Sequence, residues 1–211
     1  MRKLLCSVSV FLLTLFVFAE NIVSETIISS KAPFIPHDNY LVMNIKYKNV
    51  DRIYKKLNKY LLKNKVIQKD LIKRGEAHIT VITPPEYDNI LQAYVGINEI
   101  NKIALKYNIQ NSKVKVCGIG KGEACIGNGG SKQEKTFFLI MKAKDLINIR
   151  WKIFEKYKKN GGMPSHFDPE NFTPHITIGF TKQDLFEQNG VYKGMNSFYL
   201  DLNEISTLSL Q

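Results

Sequence analysis

Four histidines and three cysteines are all that this 211-residue chain holds, and their spacing excludes much of the chemistry such residues serve. No pair shows the H-E-x-x-H or C-x-x-C spacing of a zinc site. The H-x-H-x-H string of histidine-triad nucleotide hydrolases is missing. Gly118-Ile119-Gly120-Lys121-Gly122 resembles a phosphate cradle but lacks the Walker spacing and a following Ser or Thr, so ATP binding is disfavoured. There is no tandem repeat and no low-complexity tract. A hydrophobic share of 44% is too high for a disordered chain. Acidic residues are also scarce, 19 against 30 Lys and Arg, for a net charge of +11. That excess favours anionic partners such as phosphates, nucleic acid or a membrane surface, and it serves solubility equally well.

The uncharged run from Leu4 to Phe18 is short for a bilayer span, which takes about 20 residues. With Met1-Arg2-Lys3 before it and Val17-Phe18-Ala19 at its end, it reads as a signal peptide over residues 1–19. The protein is therefore expected in the periplasm or outside the cell, as a monomer without stable membrane association after cleavage. Residues 20–38 read as an irregular leader, and 39–211 as a single domain. Cys6 leaves with the signal. Cys117 and Cys125 flank a glycine-rich loop able to bend back, and an oxidising compartment favours a disulfide between them.

Alternation of apolar and polar residues predicts strands over 40–47, 77–83, 113–119, 136–142, 174–180 and 198–210. Apolar stripes at helical spacing predict helices over 50–66, 86–107 and 145–159, with Gly161-Gly162 ending the last. Strands 113–119 and 136–142 are expected to pair as a hairpin. The order β-α-β-α-β-β-α-β-β predicts an α+β fold. Two antiparallel-rich sheets with outer helices would form two lobes around a central cleft.

Two of the histidines share one local frame, Ala77-His78-Ile79-Thr80-Val81-Ile82-Thr83 and Pro174-His175-Ile176-Thr177-Ile178-Gly179-Phe180. In a strand, residues i and i+2 point to the same side. His78 and Thr80 therefore share one face, as do His175 and Thr177, and the isoleucines and valine face the other. The repeated pattern looks like an old duplication, one copy per lobe, with the two polar faces turned to one groove. Two imidazoles can move protons on both sides of a phosphoester, because both protonation states of histidine are accessible near neutrality. Two threonine hydroxyls can donate to the oxygens where charge grows. Such a site needs no cofactor and no metal.

The segments Arg74–Tyr87 and Ser165–Phe180, with about a hundred residues between their H-x-T motifs, resemble the 2H phosphoesterase superfamily, closest to its Swiss-army-knife RNA repair-like group. The resemblance spans roughly residues 40–210. It implies a bilobal α+β fold and metal-independent opening of cyclic phosphates on RNA ends or nucleotides. By it, His78 and His175 are the acid/base pair, and Thr80 and Thr177 hold the phosphate. Glu76 either orients the His78 imidazole or is simply an exposed residue at the strand start. Lys121, Tyr87 and His166 are candidate substrate contacts, with Asp168 a turn cap beside Pro169 and Phe180 a core residue. An exported RNA- or nucleotide-binding effector without turnover, and 2′–5′ RNA ligation, are the alternatives this pattern leaves open.

Overall fold

Alternating β-branched and apolar residues build seven strands in the computed structural model, which describes residues 32–127 and 133–206. The signal-peptide reading of residues 1–19 and most of the leader fall outside the described residues. The elements are β1 (Leu41–Asn44), α1 (Tyr47–Lys63), β2 (Ile72–Lys73), β3 (His78–Ile82), α2 (Pro84–Glu86), α3 (Ile97–Lys106), β4 (Lys115–Cys125), β5 (Gln133–Lys142), α4 (Lys144–Lys159), β6 (His175–Phe180), β7 (Phe198–Leu200) and α5 (Leu202–Ser206). β1 and β3 form a two-stranded sheet. A second sheet runs β2-β6-β5-β4-β7, and every pairing in both is antiparallel. The fold is α+β with two open sheets, as predicted. Each sheet carries one H-x-T strand, although the sheets are unequal, two strands against five.

Burial follows the alternation. Ile79 and Val81 on β3, and Ile176 and Ile178 on β6, are buried in one continuous core that also takes Leu57 and Leu61 from α1 and Leu146, Ile149, Ile153 and Tyr157 from α4. Burying one such aliphatic side chain stabilises the fold by about 1.5–3 kcal/mol. The opposite faces of the two motif strands are thereby left polar.

A buried cation sits where the sheets meet. Arg150, on the apolar stripe of α4, is 1% exposed. Its Nη1 donates to the Val81 carbonyl on β3 at 2.7 Å, and its Nε to the Pro169 carbonyl at 2.9 Å. Nη2 serves Glu86 Oε1 at 2.8 Å and the carbonyls of Asp168 and Asn171 at 3.0 and 3.2 Å. The rings of Phe167 and Phe172 flank the guanidinium at 4.9 and 5.2 Å. Glu86 is fixed in turn by a capping box, since Thr83 N–H and Oγ1–H donate to its Oε2 while its own N–H donates to Thr83 Oγ1. One side chain thus ties the end of the first motif strand to the loop leading into the second.

Several elements differ from the sequence reading. The 113–119 strand runs on to Cys125, and its predicted partner starts at Gln133, so the glycine-rich segment lies inside a long hairpin and not in a loop. Gly120 and Gly122 are needed because a Cβ there would come within 2.2 Å of Phe138 and Val191, respectively. This geometry removes the expected disulfide. Cys117 and Cys125 lie on one extended strand, about 26 Å apart at roughly 3.3 Å per residue, against the ~6 Å a disulfide needs. Both are free thiols. The helix expected over 86–107 is broken. A helical turn at Pro84–Glu86 continues as a π turn to Leu91, and α3 restarts after Gly96, which is extended. The strand expected over 198–210 ends at Leu200, and α5 follows.

Replacing Arg150 by Met strands Glu86 and removes the donor from four carbonyls, those of Val81 and Pro169 in buried bonds. Denaturant unfolding should show a loss of about 3 kcal/mol. A loss under 1 kcal/mol would mean the cation is dispensable.

Candidate active site

β3 and β6 lie side by side and present His78, Thr80, His175 and Thr177 to one cleft, with Arg74, Glu76 and Phe186 completing its wall. The cleft holds about 330 Å³ of empty space, part of it open to solvent. The four motif residues thus meet across one groove.

The two imidazoles are set differently. His175 Nδ1 lies 2.9 Å from the Thr173 carbonyl. A carbonyl only accepts, so Nδ1 carries the proton and the Nε2 lone pair is left for the cleft. The ring edge also packs against Phe138, centroid to centroid at 6.0 Å. Burial is the main force lowering the His175 pKa to about 4, and the nearby Lys193 charge lowers it further. His78 Nδ1 faces Glu76 Oε1 at 3.6 Å, an ion-pair distance once the ring is protonated. Burial and then Arg74 lower its pKa, while Glu76 works the other way.

Beneath Thr177 lies a charge cluster that no periodicity announces. Lys193, 4% exposed, donates from Nζ to Asp184 Oδ1 at 2.7 Å and to Thr177 Oγ1 at 3.1 Å. Thr136 Oγ1 and the Leu185 N–H also donate to Asp184 Oδ1. Asp184 Oδ2 accepts from Arg74 Nη1 at 2.9 Å and from Thr177 Oγ1 at 3.1 Å. Burial opposes the ionised Asp184, but Lys193, Thr136 and Arg74 outweigh it and hold the carboxyl below its usual range. Burial likewise pulls the Lys193 ammonium down, with Asp184 opposing. Phe186 covers the ammonium, its ring centroid 4.5 Å from Nζ.

Of the other candidates Glu76 lines this cleft, and Lys121, Tyr87, His166 and Asp168 do not. Lys121 pairs with Glu123 at 3.2 Å and lies over the Tyr199 ring. The Tyr87 hydroxyl accepts from the Ile97 N–H, and its ring packs on the core. His166 is exposed in a short turn at Pro164–His166. Asp168 caps its turn, accepting from the Glu170 N–H at 2.9 Å. Asp184, Phe186 and Lys193 escaped the sequence reading because their segment has no regular structure to give it a period. Residues 39–186 match the family model described as Swiss Army Knife, 2H phosphoesterase domain. No curated protein and no solved structure matches the chain.

The half-buried His175 makes stability depend on pH. Between pH 6.5 and about 4 the unfolded chain takes a proton on this ring that the folded chain refuses. Its contribution is complete above pH 6.5 and falls away as the pH drops towards 4, a loss of roughly 3 kcal/mol at 1.36 kcal/mol per pH unit. NMR titration of the His175 ring should give a midpoint near pH 4. A midpoint at 6.5 or above would contradict the burial argument.

Proposed function

The chain belongs to the 2H phosphoesterase family of the Swiss Army Knife type, and from that premise we propose that it opens 2′,3′-cyclic phosphates on nucleotides or RNA ends, using its own side chains for every proton transfer. The observation that carries this reading is the asymmetry of the two imidazoles. His175 keeps a free Nε2 lone pair, secured by the Nδ1–H bond to Thr173. It is the general base that takes a proton from the attacking water. His78 has a carboxylate beside Nδ1 to stabilise its charged form. It is the general acid that protonates the departing ribose oxygen.

Water's oxygen bonds to phosphorus as the opposite P–O bond to the ribose breaks. The proton lost to His175 is balanced by the one given up by His78, and a phosphomonoester with a free ribose hydroxyl results. Charge builds on the non-bridging oxygens in the transition state, where the Thr80 and Thr177 hydroxyls donate. Thr177 donates to Asp184, so its proton turns from that carboxylate to the phosphate during turnover. The charge pattern at residues 1–19 supports action after export.

Turnover of a 2′,3′-cyclic nucleotide should persist in excess EDTA. His78→Ala and His175→Ala should each lose about 10²–10⁴-fold. Because kcat/KM reports the free enzyme, it should rise through the His175 midpoint of about 4 and fall through that of His78, which lies below 6.5. The optimum then sits on the acid side of neutrality. A folded protein that makes no phosphomonoester from any cyclic substrate would overturn the proposal.

A further inference from the structure

The two H-x-T motifs bring hydroxyls and imidazoles to the cleft, but no fixed positive charge to meet an anionic phosphate. Arg74 is the one arginine or lysine among the residues lining it. Its side chain is 31% exposed, open enough to reach a ligand. Two of its three nitrogens are tied down: Nη1 to Asp184 at 2.9 Å and Nε to Glu76 at 3.3 Å. Nη2 has no hydrogen-bond partner among the described residues. A guanidinium is a rigid planar fork, so anchoring two of its nitrogens fixes the direction of the third.

The anchor is unusually firm. Asp184 receives hydrogen bonds from Lys193, Thr136, Leu185, Arg74 and Thr177. Such a carboxylate cannot move without abandoning several donors at once, and a buried group left unpaired is costly. Two cations share this one carboxylate, which leaves the cluster a net positive charge of one. Glu76, the other acid beside Arg74, is 62% exposed, so solvent weakens its pairing with Arg74 without removing it.

We propose that Arg74 binds the substrate's phosphate, and that Asp184, neutralised by Lys193, is the positioning residue that holds the guanidinium in place. This rests on the phosphoesterase reading above and names a ligand that the motifs do not include. It also accounts for Thr177. The Thr177 oxygen accepts from Lys193, so its single proton is free to leave Asp184 for a phosphate oxygen, and Asp184 keeps its other donors. The phosphomonoester product, with its second negative charge, should bind this cationic cleft more tightly than the cyclic diester, so product and inorganic phosphate should compete with substrate.

The test measures inorganic phosphate binding by calorimetry alongside KM and kcat for a 2′,3′-cyclic nucleotide. In Arg74→Gln, the phosphate Kd and the KM should both rise by at least about tenfold, the worth of one lost charge-assisted hydrogen bond. The fall in kcat should be smaller. Arg74→Lys, which keeps the charge and loses the fork, should recover part of the affinity. The paired change of Asp184→Asn with Lys193→Met removes both buried charges together and strands neither. It should raise KM while leaving Arg74 in the protein. Unchanged phosphate affinity and KM in Arg74→Gln would overturn the assignment while leaving the reaction intact. Arg74-dependent phosphate binding in a protein that opens no cyclic phosphate would uphold the assignment and remove the reaction instead.

Discussion

Arg150 takes a full positive charge into a place that is 1% exposed. Such burial is tolerated only where geometry supplies nearly every hydrogen bond that water would have given. Here those acceptors are the Val81 carbonyl on the first motif strand, the Glu86 carboxylate just after it, and carbonyls of Asp168, Pro169 and Asn171 ahead of the second. The two motif strands belong to different sheets and share no ladder hydrogen bonds. Their relative placement, and so the width of the cleft between His78 and His175, depends on contacts such as this one.

What this frame produces is a polar cleft, partly open to solvent. Ile79, Val81, Ile176 and Ile178 anchor the backs of the two strands in the core, and the fronts carry the imidazoles at fixed orientations. Burial favours the neutral ring at both positions. The neighbours then divide the labour: a carbonyl fixes the tautomer of His175, and a carboxylate faces His78. A phosphate entering this site meets an environment already arranged for charge, with little reorganisation left for the chemical step.

Local patterns were legible in the sequence, and long-range ones were not. His78/Thr80 and His175/Thr177 could be read because a period of two is a property of neighbouring residues, and the α+β class followed from the alternation of such segments with helical stripes. The continuation of the 113–119 strand through Gly120 and Gly122 could not, because those glycines answer to side chains from elsewhere, Phe138 and Val191. The disulfide expectation fell with the same misreading. Asp184 and Lys193 sit in an irregular segment and acquire meaning only when the fold brings them under Thr177. Arg150 left one visible trace, a charge on the apolar stripe of α4. Nothing local to that helix tells which carbonyls it serves.

The proposed reaction makes the two H-x-T motifs one catalytic unit. Residues that act as a unit are grossly non-additive when removed. The most direct measurement is therefore kcat/KM for a 2′,3′-cyclic nucleotide in wild type, His78→Ala, His175→Ala and the double variant, all at one pH. If the two histidines act as one unit, the double variant is no slower than the worse single variant. Losses that multiply, or a single variant with wild-type turnover, would contradict it.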